Sequence, residues 1–205
     1  GRRAIVIGAD VSDRSSVDEM VRETTAELGP LDIAVANAYY SKRESFLDMS
    51  IEGMQRTIDV TLYGAFHVAQ ASARQMVAQK NGGCILFISS VMSFLPFPQS
   101  LAYSTAKAGV NHMAAIIAVE MLDHRIRVNV IEPGWTDTPG ERQYSTEEDI
   151  REGGKRLPWG RMGTIEDLGK AATFLCSDDA DYITGEVMRV DGGFWLKRGV
   201  GNIQE

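Results

Sequence analysis

Cysteine is scarce in this 205-residue chain, with only Cys84 and Cys176, and their separation matches no metal-ligand spacing. Each sits inside an apolar segment, which predicts two buried thiols in a reducing compartment rather than a disulfide framework. The three histidines, His67, His112 and His124, are scattered and show no ligand pattern, so no metal site is expected. Asp178, Asp179 and Asp181 lack the glycine and the spacing of a calcium loop and read as a solvated turn. No apolar run approaches the ~20 residues that cross a bilayer, and no stretch has the pattern of a signal peptide. A cytoplasmic protein with no membrane partner is therefore expected. Basic charge is short too: a net charge of -7 and a pI near 5.1 argue against nucleic acid as a partner. Nor does the chain contain a Gly-x-x-x-Gly-x-Gly, an internal repeat or a low-complexity segment.

What is present is an ordinary globular composition, 44% hydrophobic and 24% charged, at a length that suits one domain over residues 1–205. Residues 3–10 read as a first strand. Ser12 or Asp13 can cap the helix that follows, Val17, Met20, Val21 and Leu28 give it an apolar stripe, and Gly29-Pro30 ends it. Residues 31–36 form a second strand ending at Asn37, and residues 50–79 read as one long helix with Met54, Ile58, Leu62 and Ala65 on its apolar side. The continuous apolar run 84–88 suits a strand buried on both faces of a parallel sheet. Beyond it come an Ala-rich helix over 103–121, a strand over 125–131, a helix over 164–176 opened by Thr164-x-x-Asp167, and a last strand over 186–190. Residues 139–162 lack strong periodicity and read as a mobile substrate lid. This alternation predicts an α/β fold with a doubly wound, Rossmann-like parallel sheet and a site at the carboxyl ends of its strands.

Chemistry concentrates in residues 89–107, SSVMSFLPFPQSLAYSTAK. Tyr103 and Lys107 stand four apart, on one face of the first turns of a helix. A phenol titrates near pH ~10, and lowering it by ~3 units takes roughly 4 kcal/mol, which one close ammonium in a dry site can supply. Such a phenol exchanges protons near neutrality. Ser90, at a strand's carboxyl end, can offer its hydroxyl to the same substrate oxygen. A Tyr-x-x-x-Lys pair is also common on helix surfaces, so its company decides its meaning.

That company resembles the short-chain dehydrogenase/reductase family, classical type, in order and spacing along nearly the whole chain. Asp10-Val11 is similar to the family's adenine-side Asp-Val, Asn37-Ala38 to the start of its Asn-Ala-Gly, and Ser90, Tyr103 and Lys107 to its catalytic residues. Residues 129–138, NVIEPGWTDT, are similar to its Pro-Gly cofactor loop, and residues 182–185 and 190–193 to its C-terminal signature. The resemblance implies hydride transfer between NAD or NADP and a carbonyl/alcohol pair. Tyr103 would donate the proton, Lys107 would lower the phenol and hold the nicotinamide ribose, and Ser90 would orient the carbonyl. It implies cofactor contacts from Asp10, Val11, Asn37, Ala38, Tyr103, Lys107, Pro133, Gly134, Thr136 and Thr138, and assembly as a homotetramer or dimer. Two departures stand out: Tyr39 replaces the family's glycine, and Thr61 replaces an asparagine that assists a proton relay, leaving Thr61 as a substitute there.

By the same resemblance the chain begins at the family's third strand, without the first two strands and the glycine-rich dinucleotide loop, and reads as a fragment of a longer chain or else as a naturally shortened relative. Residues 3–10, whose family partner is the second strand, must then detach or pair anew beside 31–36. Small sugars, polyols and 3-oxoacyl groups are the substrate classes by analogy. Tyr39, Tyr40, Phe94, Phe97, Trp135 and Trp159 could line a pocket for them, and Arg142, Lys155 or Arg156 could meet an acid. A non-catalytic scaffold that kept the family shell but lost cofactor binding is the rival reading.

Overall fold

The computed structural model describes residues 2–143 and 145–198; Tyr144, within the predicted lid, lies outside the described residues. Four parallel strands form one sheet in sequence order: β1 (Ile33–Ala36), β2 (Gly83–Ile88), β3 (Ile126–Pro133) and β4 (Val187–Val190). Every strand runs the same way, so each connection must cross over, and helices make the crossings. α2 (Ile51–Ile58) and α3 (Gly64–Gln79) join β1 to β2, α4 (Leu101–Glu120) joins β2 to β3, and α5 (Glu147–Arg156) and α6 (Ile165–Cys176) join β3 to β4, while α1 (Arg14–Leu28) precedes β1 and α7 (Phe194–Arg198) follows β4.

The pleat sorts side chains onto two faces. Ala34 and Ala36 of β1, Ile85 and Phe87 of β2, and Val128 and Val130 of β3 join Ala69, Ala73 and Met76 of α3 and Val110, Ala114 and Ala118 of α4 in the main core. The small alanines let both helices lie close on the sheet. On the other face, Leu86 and Ile131 pack with Leu175 of α6. This two-faced burial explains why 84–88 reads as an unbroken apolar run. β1 is different: Ile33 and Val35 are 45% and 46% exposed, because α6 does not reach across to that edge.

Three expectations are corrected. Residues 3–10 form no strand; Val6 is fully exposed, and among the described residues no strand lies beside the segment to complete its hydrogen bonds. The chain becomes anchored from Asp10 and Val11 onward, where Asp10 N donates to Ser16 Oγ, the Val11 carbonyl meets His67 Nδ1, and Asp13 accepts from Ser15 N to cap α1. The helix over 50–79 is not uniform, since a π-helical turn at Asp59–Tyr63 separates α2 from α3 and contains Thr61. Periodicity alone misses one extra residue per turn. The aperiodic 139–162 contains a helix, α5, whose Thr146 and Asp149 form a reciprocal capping box. Its polar surface gave no apolar stripe to read, with only Gly154 buried.

Candidate active site

Because the strands are parallel, the segments leaving β1, β2 and β3 emerge on one edge of the sheet. Ser90 stands just beyond β2. Its neighbour Ser89 continues the ladder, donating its N–H to Ile131 O at 2.8 Å, and its hydroxyl donates to Lys107 O at 3.2 Å. This ties the end of β2 to α4. Ser90 then opens a 3-10 turn, Val91–Ser93, in which its Oγ accepts from Met92 N at 3.1 Å.

Tyr103 lies in the first turn of α4, beside the Ser90 side chain, which favours its ionised form. Lys107 comes one turn later, with its side chain buried and Nζ donating to Ile88 O at 2.6 Å. Nζ lies 5.6 Å from the centre of the Tyr103 ring. The structure thus brings Ser90, Tyr103 and Lys107 together around the end of β2. It does not show the lowered phenol expected from sequence: burial pushes Tyr103 up to about 12, against the opposing effect of the Ser90 side chain, with Tyr39 and Glu141 adding smaller upward effects. Burial also pulls Lys107 down to about 8. With Nζ turned to the Ile88 carbonyl, the penalty for charge in a dry site outweighs any help from the ammonium.

The two departures from the family pattern meet here. The Tyr39 ring approaches Tyr103 edge-on, with centroids 5.8 Å apart, and Lys107 Nζ lies 5.9 Å from its centre. Tyr39 Oη also fills the space where Gly140 would carry a Cβ, 2.7 Å away, so the ring reaches the segment that leads to α5. Thr61, buried in the π-turn, receives Tyr40 N–H at 3.0 Å and donates to Tyr40 O at 2.9 Å. Its hydroxyl holds the Tyr39–Tyr40 loop, and its proton is already committed to that task rather than to a relay.

The remaining predicted residues divide. Asn37 and Ala38 stand exposed beyond β1. Asp10 is exposed, and hydrogen bonds from the Ser12 hydroxyl and N–H hold its carboxyl below the usual range. Val11 rests on Gly64, where a Cβ would come within 2.6 Å of it. Pro133 closes β3, and Gly134 lies so near Asp191 that a Cβ would stand 2.7 Å from its backbone. Thr136 is buried, with its hydroxyl turned to Gly134 O at 3.2 Å, and Thr138 accepts from Glu141 N at 3.2 Å.

Of the expected pocket residues, Phe94 meets Trp195 edge-on, with the Arg189 guanidinium against both rings, and Phe97 stacks on Phe194. Trp135 donates to Glu141 at 2.8 Å, while Trp159 is largely exposed. Arg142 is paired with both Asp137 and Glu147, and Lys155 with Glu152, so neither presents an uncompensated charge to an acid.

Sequence reasoning missed Glu132. It is 1% exposed, accepts from Asn111 Nδ2 at 2.6 Å and from the Ser93 hydroxyl, and has Arg189 Nε 3.1 Å from its other oxygen. The signal was an acid inside a strand, in the segment 126–133. Buried carboxylates require such company, and this one anchors the turn that begins at Ser90.

A nicotinamide dinucleotide fits part of this surface. Asn37, Ala38, Ser90, Tyr103 and Lys107 offer polar groups along one open edge, whereas Gly134 faces its own chain and no glycine-rich phosphate turn occurs in the sequence. Among the described residues no cluster of three or more His, Cys, Asp or Glu side chains could hold a metal, and no helix is long and apolar enough to cross a membrane.

Comparison with known proteins agrees with this geometry. A family model described as Enoyl-(Acyl carrier protein) reductase matches residues 1–195. The chain is 36% identical over 197 residues to an L-rhamnose 1-dehydrogenase (NAD(P)(+)) of Sphingomonas sp. (strain SKA58), covering 96% of this chain and 78% of that protein. It is 35% identical over 185 residues to a 3-oxoacyl-(acyl-carrier-protein) reductase of Thermotoga maritima, covering 90% and 74% respectively. The crystal structure of a short-chain type dehydrogenase/reductase from Mycobacterium marinum superposes with a TM-score of 0.89 at 36% identity, covering 95% of this chain and 76% of that one. These relatives are enzymes, which weighs against the scaffold reading. The chain belongs to the short-chain dehydrogenase/reductase family, as an NAD(P)-dependent oxidoreductase.

Proposed function

We propose that the protein interconverts a carbonyl and an alcohol on a small sugar, polyol or 3-oxoacyl-type substrate, at Ser90, Tyr103 and Lys107. The observation that carries this reading is that Ser90, Tyr103 and the buried Lys107 ammonium gather at the end of β2. A bound nicotinamide supplies or accepts the hydride. Ser90, whose Oγ accepts from Met92 N, turns its proton from the phenol to the substrate oxygen when substrate binds. Tyr103, protonated at neutral pH, donates to the developing alkoxide in the reducing direction. Lys107 repositions from Ile88 O towards the ribose and the phenol when the nucleotide is in place, and its charge then lowers the phenol for the reverse reaction.

Asn37, Ala38 and the 133–138 segment line the nucleotide side, with Asp10 and Val11 towards the adenine. Residues 139–162 act as the substrate lid: Tyr39 contacts Gly140 at its base, and Trp135 packs under Gly153 of α5. The rhamnose and 3-oxoacyl relatives supply the substrate classes. Exposed Ile116 and Val119 on α4 support a dimer or tetramer, to be measured by light scattering, and a cytoplasmic location goes with this reading. Tyr103→Phe in the full chain is expected to lower turnover by roughly 10²–10⁴-fold, the usual share of a positioned proton donor, with a much smaller effect on nucleotide affinity. NADH and NADPH titrations of both proteins reveal the preferred cofactor, and a Tyr103→Phe enzyme with ordinary turnover would remove the assignment.

A further inference from the structure

The sheet brings together two residues that the proposed site does not use. Cys84, near the amino end of β2, and Cys176, the last residue of α6, are separated by 92 positions, yet their sulfurs lie 4.0 Å apart, with Cys84 donating. Cys84 is 3% exposed and Cys176 is partly exposed; both are free thiols. Arg127 sits opposite Cys84 in the β2–β3 register. Its guanidinium donates to Leu175 O at 2.7 Å and Ser177 O at 3.1 Å, on either side of Cys176. One thiol is therefore a buried donor, and the other is a reachable acceptor next to a fixed positive charge.

We propose that Cys84 and Cys176 form a peroxide-reactive dithiol, in which Cys176 attacks, Cys84 resolves, and the product is an intrachain disulfide stapling α6 to β2. The Cys84 hydrogen bond and the nearby Arg127 hold the Cys176 thiol at about 7, against an ordinary 9.0. That shift enlarges the thiolate fraction at neutral pH over that of an ordinary thiol. The thiolate attacks one oxygen of a hydroperoxide. An S–O bond forms, the O–O bond breaks, and the departing hydroxide or alkoxide takes up the proton that Cys176 released. Cys84 sulfur then attacks Cys176 sulfur: the S–S bond forms, the S–O bond breaks, and the leaving hydroxide carries away the Cys84 proton as water. Two electrons pass from the two sulfurs to the peroxide. The sulfurs must approach by about 2 Å, which a terminal helical residue can absorb at the fraying end of α6. The pair lies at the opposite end of β2 from Ser90, so the staple acts on stability.

The test treats the reduced full chain with hydrogen peroxide at pH 7 and maps its peptides without reduction. Expected are a Cys84–Cys176 cross-linked peptide, a mass lower by two hydrogens, and a melting temperature raised by roughly 5–15 °C that returns on adding dithiothreitol. In Cys84→Ala, Cys176 is expected to run on to sulfinic acid, and in Cys176→Ala oxidation of Cys84 should slow about tenfold or more. The wild-type map decides even where a variant misfolds. Two thiols that both remain alkylatable, or a Cys176 sulfinic acid without cross-link in the wild type, overturn the proposal.

Discussion

Lys107→Met offers a quantitative probe of the buried ammonium. The folded value of Lys107 is about 8 and its ordinary value is 10.5, so between these values the unfolded chain holds a proton that the folded chain lacks. Stability then rises with pH through that window, is fully present above 10.5, and is lost as pH falls through 8. At ~1.4 kcal/mol per unit, the charged side chain costs the fold about 3 kcal/mol at pH 7. Its hydrogen bond to Ile88 O, worth ~1.5–3 kcal/mol for a charged donor, offsets much of that. Methionine removes both contributions, so net stability at pH 7 changes little, by less than about 2 kcal/mol, and the pH profile becomes the sharper readout. Wild type is expected to gain about 2 kcal/mol more than Lys107→Met between pH 8 and pH 10. Taking the difference cancels the titrations of Cys84, Cys176 and Tyr103, which both proteins share. Urea melts at half-unit pH intervals measure it, and parallel profiles for the two proteins would refute a buried, penalised ammonium.

Other perturbations probe neighbouring features. Glu132→Ala strips partners from Asn111, Ser93 and Arg189 together and is expected to cost about 3 kcal/mol in a denaturant melt. Gly134→Ala forces a Cβ to 2.7 Å from the Asp191 backbone and is expected to cost ~1–3 kcal/mol, visible as a lower melting temperature. Tyr39→Gly removes the ring that meets Tyr103 edge-on, a contact worth ~1 kcal/mol, and is expected to improve NADH affinity roughly fivefold by fluorescence titration.

The elements read well from sequence where burial has a period. The run 84–88 announced a strand buried on both faces, and Thr164-x-x-Asp167 announced the start of α6, where the capping box is indeed found. Reading failed where partners are remote. Residues 3–10 have strand-like side chains but no neighbouring strand among the described residues, and α5 is too polar for its period to show. The π-turn at Thr61 and the approach of Cys84 to Cys176 depend on packing between distant segments, so no local pattern encodes them.

The sequence by itself determined the parallel α/β architecture and the spacing of Ser90, Tyr103 and Lys107, because short-range periodicity carries that information, and its ordered motifs resemble the family to which the chain belongs. Tertiary structure alone decided the state of that constellation. Burial raised the Tyr103 phenol and lowered the Lys107 ammonium, Tyr40 claimed the Thr61 hydroxyl, and the Tyr39 ring came to rest against Tyr103. Desolvation and hydrogen-bond competition depend on which distant groups come near, and spacing along a chain does not record them.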